Sequence, residues 1–262
     1  MIEVVGLRHS YGALEVVQDL SLRVERGRFC ALVGPSGCGK STVLRVLAGL
    51  VVPTAGEARV DGHSTVGTPG RTAFMAQRDL LLPWRRAVGN AIVGAEARGL
   101  DRRAATATAL ALFDRFGLTG FERAWPSQLS GGMRQRLALL RTFVAGLDVL
   151  LLDEPFGALD ALTRRDLQAW LDQLLVGPGN ASGALDTSDP PRTVLLVTHD
   201  VEEALLLADE VIVLSPRPGR VVARVASPYE HPRPARLVTS ADFVGRKASV
   251  LDALGDTPGR PY

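Results

Sequence analysis

Lysine is nearly missing from this chain: of 30 basic residues other than histidine, only Lys40 and Lys247 are lysines. Cysteine is scarce too. Cys30 and Cys38 are too few for a disulfide framework, and both fall in one short segment, as expected of reduced thiols in a cytoplasmic protein. Charge of one sign is not in excess, since 28 acidic residues leave a net charge of +2. That excludes the strong field of a nucleic-acid binder. No uncharged apolar run approaches the roughly 18 residues of a spanning helix, so any membrane role is expected to be peripheral. The first ten residues, MIEVVGLRHS, lack the basic-then-apolar order of a secretory signal. No internal repeat is found. What is present is ample apolar material: 262 residues with 46% hydrophobic content can bury a full core, as one large domain or two small ones.

Periodicity divides the chain. Short strands are expected at Ile2–Leu7, Leu20–Val24 and Phe29–Val33, followed by a helix over 40–50. Further strands are expected at Glu57–Asp61 and Thr72–Met75. From about 88 to 147 the pattern is helical, rich in Ala, Leu and Arg. Strands at Val149–Leu152, Thr193–Val197 and Val211–Leu214 then alternate with helices over 161–176 and 201–208. Apolar strands alternating with helices predict a mainly parallel, helix-covered sheet. Gly177–Pro191 has little to bury and reads as a loose loop. Residues 216–236 carry many prolines and are expected to be loosely structured, leading into a tail with weak helical periodicity.

Three motifs carry chemistry. Gly34-Pro35-Ser36-Gly37-Cys38-Gly39-Lys40-Ser41, followed by Thr42, fits the P-loop pattern and lies between an apolar strand and a helix. Its glycines let backbone N–H groups turn toward phosphate oxygens at a helix N-terminus. Lys40, in a chain that otherwise prefers Arg, supplies a point charge for the β and γ phosphates, and the Ser41 hydroxyl suits Mg²⁺. The run Val149–Asp153-Glu154 ends a buried strand in two carboxylates at the sheet edge where ligands bind. Asp153 suits Mg²⁺ held through water, and Glu154 suits a general base. Alone, such a strand end is commonplace; beside a P-loop it is a Walker B motif. Leu129-Ser130-Gly131-Gly132-Met133-Arg134-Gln135 opens a helix with a second anion cradle. One ATP does not need two cradles from one chain, whereas two chains placed head to tail would each lend this turn to the other.

Together these segments resemble the ATP-binding-cassette (ABC) ATPases, over about residues 1–225, with 226–262 as a C-terminal extension. The resemblance implies a P-loop NTPase fold of the α/β class, with an antiparallel β portion near the N-terminus and a helical subdomain at about 78–147. It also assigns the smaller motifs. Gln77 looks like the Q-loop, touching Mg²⁺ or the attacking water. Gly157–Asp160 looks like the D-loop, His199 like the switch histidine, and Tyr11 like the aromatic that stacks on adenine. ATP is then held by Tyr11, the loop Gly34–Thr42 and, from the other protomer, Ser130, Gly131, Gly132 and Asp160. Mg²⁺ falls to Ser41, Gln77 and Asp153, and catalysis to Lys40, Gln77, Glu154 and His199. His9, His63 and His231 fit no role, and the Cys38 thiol is incidental.

At Asp79-Leu80-Leu81-Leu82-Pro83-Trp84-Arg85 the resemblance narrows to importers of nitrate, sulfonate, taurine or pyrimidine precursors, and Ser215–Gly219 points the same way. The implied partners are a second copy of the chain, a membrane permease and a periplasmic or lipid-anchored solute-binding protein, with no nucleic acid. The implied place is the cytoplasmic face of the membrane. The rivals are the ATPase of an exporter or lipid-moving complex, and a non-transport ABC ATPase. The latter usually shows a coiled-coil insertion or a second cassette, and neither is visible here.

Overall fold

The structure, a computed structural model, describes residues 1–173 and 192–255. The loop expected at 177–191 lies outside the described residues. β1 (Ile2–Tyr11) and β2 (Leu14–Val24) form an antiparallel pair whose turn is closed by Gly12 at φ 61°. Both run further than periodicity indicates, because bulges in the pairing between Val4 and Ser10 interrupt strict alternation. β4 (Ala55–Val60) and β5 (His63–Ser64) complete a four-stranded antiparallel sheet in the order β2-β1-β4-β5.

β3 (Phe29–Val33) is buried along its whole length and founds the second sheet. Its alternate residues feed two different cores: Phe29, Ala31 and Val33 face one, Cys30 and Leu32 the other. A strand apolar on both faces has to be covered on both faces, and that is the arrangement found. The helix α1 (Lys40–Leu47) and the antiparallel sheet cover one side. β6 (Ala73–Met75), β7 (Val149–Asp153), β8 (Thr193–Val197) and β9 (Glu210–Leu214) join β3 in parallel, in the order β9-β3-β8-β7-β6.

Four helices fill the interval between β6 and β7: α2 (Ala87–Ala91), α3 (Val93–Ala97), α4 (Arg102–Arg115) and α5 (Gly131–Val144). The Asp101 carboxylate caps α4 by accepting from the Ala104 N–H at 2.8 Å, a contact commonly worth about 1 kcal/mol. α6 (Ala161–Gln173) and α7 (Val201–Leu207) follow β7 and β8 as crossover elements.

The proline-rich stretch 216–236 departs from expectation. It contains β10 (Val221–Ala226), which pairs antiparallel with β9 and closes the edge of the second sheet. It also contains Arg233, buried to 6% exposure. The prolines sit in the turns on either side of the strand, where a missing N–H costs no ladder bond. Beyond it, α8 (Ala241–Gly255) buries Phe243 and Val250 in the larger core. Each such side chain is worth about 1.5–3 kcal/mol. None of the described helices is long and apolar enough to cross a membrane.

Candidate active site

The loop from Gly34 to Gly39 carries the chain from β3 into α1. Gly37 and Gly39 lie at φ +77° and +103°, left-handed conformations open to glycine. A Cβ on Gly39 would also stand 2.6 Å from Val17 Cγ2, so β2 braces the loop from behind. Lys40 is buried, and its ammonium donates to the carbonyls of Gly34 (2.7 Å) and Pro35 (2.9 Å), which holds the charge at the loop mouth. The Cys38 thiol is buried behind the loop, and burial pushes its pKa up against the opposing pull of Lys40. An inert thiol agrees with an incidental side chain.

Ser41, first residue but one of α1, donates to Asp153 Oδ1 at 3.0 Å, across 112 residues of sequence. Asp153 ends β7 in the interior, where burial raises its pKa and the Ser41 hydrogen bond opposes the rise. Glu154 follows at φ +50°, a conformation unusual for a non-glycine residue. Its N–H donates to Val197 O at 2.9 Å, so the adjoining strand β8 holds the strained residue in place. The turn projects the Glu154 carboxylate out of the sheet. There Gln77 Nε2 donates to Oε2 at 3.1 Å, and His199 Nδ1 lies 3.5 Å from Oε1. The His199 side chain is 68% exposed and faces the open side of the cleft.

Lys40, Ser41, Gln77, Asp153, Glu154 and His199 thus meet at the C-terminal ends of parallel strands, the position where open α/β sheets bind ligands. Other candidates stand apart. Ser130 caps α5, its hydroxyl accepting from the Met133 N–H at 3.2 Å, with Gly131 and Gly132 as the first helical residues. Asp160 caps α6 by accepting from the Thr163 N–H at 3.0 Å. No hydrogen bond among the described residues joins these groups to the phosphate loop. Tyr11 ends β1, 47% exposed, with its ring edge-on to His9 at 4.5 Å.

Four features escape sequence reasoning. Gly219 N–H donates to Val16 O at 2.9 Å, and a Cβ on Gly219 would stand 2.0 Å from Cys38 O, so the Ser215–Gly219 turn presses on the phosphate loop. Arg134 and Arg141 of α5 grip the backbone just after Gln77: Arg134 Nε donates to Asp79 Oδ2 at 3.0 Å, while Arg141 donates to the Asp79 and Leu80 carbonyls at 2.7 and 2.9 Å. Buried Asn90 then folds the turn, accepting from Leu82 N–H at 2.7 Å and donating to Arg85 O at 2.9 Å. Trp84, at the tip of that turn, is 70% exposed. Finally, Glu203 of α7 is buried beside the His199 loop and accepts from the Thr198 hydroxyl at 3.1 Å; burial pushes its pKa up to about 8. A single Glu in a helical pattern carries no signal of such burial.

Oxygen donors dominate around Ser41 and Asp153, and no cluster of three His, Cys, Asp or Glu side chains able to hold a metal is found among the described residues. That set fits Mg²⁺, which takes one or two protein oxygens and fills its remaining positions from water and phosphate.

A sequence profile for ABC transporters matches residues 17–157, more than half of the chain. The chain belongs to the ABC transporter family. It is accordingly an ATP-binding cassette with ATPase activity. The taurine import ATP-binding protein TauB of Yersinia pestis bv. Antiqua (strain Antiqua) is 39% identical over 256 residues, covering 96% of each protein. The aliphatic sulfonates import ATP-binding protein SsuB 1 of Rhodococcus jostii (strain RHA1) is 43% identical over 253 residues, covering 97% of this chain and 93% of that one. Among solved structures, the dimeric form of MJ0796, a bacterial ABC transporter cassette, superposes with a TM-score of 0.75 at 25% identity, over 88% of this chain and all of that one.

Proposed function

We propose that this cassette hydrolyses Mg·ATP as a homodimer on the cytoplasmic face of a membrane, energising import of a small sulfonate such as taurine. The observation that bears the most weight is the placement of Glu154. Its carboxylate stands free of the sheet, flanked by Gln77 and His199, next to the lysine and serine of a phosphate loop. A carboxylate so placed accepts a proton from water while Gln77 orients it.

The roles of the other residues are those the family resemblance implies. The N–H groups of Gly34–Ser41 and the Lys40 ammonium hold the β and γ phosphates, and Thr42 and Tyr11 contribute to the nucleotide pocket. Ser41, Gln77 and Asp153 would hold Mg²⁺, which neutralises charge on the phosphates when bound. His199 donates to the γ phosphate. Most of the rate gain lies in positioning and in charge stabilisation by groups already fixed in place. Ser130–Gly132 and Asp160 lie away from their own chain's loop, and a head-to-tail dimer gives them a phosphate in the partner copy. The dimeric form of the superposed cassette supports dimerisation.

The transport reading draws support from the relatives and from Trp84. An exposed Trp on a turn pinned by Asn90 and by two arginines of α5 is a stiff anchor, suited to a permease pair fed by a solute-binding protein. Truncating such an anchor commonly costs about 2 kcal/mol or more of binding. Trp84→Ala should leave ATPase of the isolated subunit within about twofold while abolishing solute uptake and copurification with the permease. Loss of folding or hydrolysis in the isolated subunit would instead make Trp84 a structural residue.

A further inference from the structure

Two buried polar atoms near the cleft have no hydrogen-bond partner among the described residues: Glu203 Oε1 and Arg164 Nε. The residues Glu203 and Arg164 line the same small cavity, of about 40 Å³, whose wall also includes Glu154, His199 and Asp200. That volume is enough for one or two water molecules, since a single water needs only about 10–15 Å³ of such space.

Each group has a fixed hold on a different catalytic loop. Glu203 Oε2 accepts from the Thr198 hydroxyl at 3.1 Å, and Thr198 Oγ1 in turn accepts from the Asp200 N–H at 3.1 Å, so the two residues flanking His199 hang from this carboxyl. Arg164 Nη2 donates to Leu159 O at 3.1 Å, and the Arg164 N–H donates to Asp160 O at 2.9 Å, which ties it to the segment ending in Asp160. We propose that Glu203 is a positioning residue for hydrolysis: through Thr198 it sets His199, and across the cavity it shares with Arg164 it couples the His199 loop to the Gly157–Asp160 loop. The inference rests on the ATPase reading above. It gives the cassette a physical link between the segment facing the γ phosphate and the segment expected to face the other protomer. The charged groups around Glu203 are Asp200, Arg164 and Glu154. Burial keeps its carboxyl protonated at neutral pH, so a glutamine is a close mimic.

The test is steady-state ATPase of the full-length purified chain, with kcat and KM for ATP separated. Glu203→Leu should lower kcat at least tenfold with KM within twofold, and Glu203→Gln should restore kcat to within threefold of the parent. Thr198→Val cuts the same link while preserving shape, and should reproduce the kcat loss if Glu203→Leu proves insoluble. Arg164→Met should lower kcat as well, and the Glu203→Leu/Arg164→Met double variant should be no slower than the worse single one. Unchanged kcat in both Glu203→Leu and Thr198→Val would overturn the proposal, as would losses that multiply in the double variant. A parent protein with no ATPase at all would sink the ATPase reading itself, a different outcome from a normal parent with unaffected variants.

Discussion

The phosphate loop and the C-terminal segment around Arg233 are held in opposite ways. The loop takes its shape locally, from eight consecutive residues, two left-handed glycines and a helix start, with β2 and the Ser215–Gly219 turn packed against it. Arg233 is mostly non-local. Its guanidinium donates to the carbonyls of Leu205, Leu206 and Ala208 at the end of α7, at 3.1, 3.3 and 2.8 Å, and to Tyr229 O at 3.0 Å. Its backbone N–H donates to Asp172, which also pairs with His231, and the His231 ring reaches on to Asp209 at 3.3 Å. A function made by backbone conformation tolerates distance from the rest of the fold, whereas a function made by a buried charge exists only when every partner is in place.

The largest expected effect breaks the second region alone. Arg233→Met removes a fully buried cation and strands the carbonyls it donates to, at a cost of about 3 kcal/mol or more. For a chain of this size that corresponds to a fall in melting temperature of about 6–12 °C. Activity per folded molecule should persist at low temperature. A melting temperature within a degree or two of the parent would show that the cluster is dispensable.

Gly219→Ala tests whether the two regions are independent. Its new Cβ would meet Cys38 O at 2.0 Å, backbone against backbone, so the phosphate loop must shift. Overpacking of this kind costs about 1–3 kcal/mol, and the loss should show as ATP binding weakened on the order of tenfold to a hundredfold in a fluorescence titration. Unaltered affinity would mean that the turn merely passes by the loop.

The smallest effect is a pH dependence. Burial disfavours the charged form of His231, but hydrogen bonds to Asp172 and Asp209 outweigh it and raise the pKa above the usual imidazole value. Arg233, the remaining charged neighbour, opposes the rise. A folded pKa above the unfolded one means that the stabilisation is fully present below about pH 6.5 and is lost as pH rises through the folded value. Melting curves of the parent across that window should decline more steeply than those of His231→Gln. Parallel declines would remove His231 from the account.

Legibility follows the same division. The boundaries Phe29–Val33 and Thr193–Val197 were readable because a strand covered on both faces is a plain apolar run bounded by turns. The Ser130 cap at the start of α5 was readable for a similar local reason. β10 was not, since its inward residues are only half-buried, apolar residues stand on both of its faces, and the prolines flanking it speak for turns. Glu154 could be named from its place after an apolar strand, yet its left-handed backbone, set by the bond to Val197 O, has no sequence signature. Asn90, Glu203 and Arg233 look like ordinary polar residues until tertiary contacts bury them. His231 fits no role in the sequence, because its two carboxylate partners lie 59 and 22 positions away.

The central claim is that Glu154 is the base of an ATPase, and the most direct measurement is steady-state ATP hydrolysis by Glu154→Gln beside the parent. The glutamine keeps the shape and the contact with Gln77 but cannot accept the proton, and general-base catalysis contributes about 10²–10⁴-fold. Turnover should therefore fall by about that factor while ATP binding is retained, and an ATP-bound dimer should accumulate on gel filtration. Near-parental hydrolysis by Glu154→Gln, or loss of ATP binding together with turnover, would contradict the assignment.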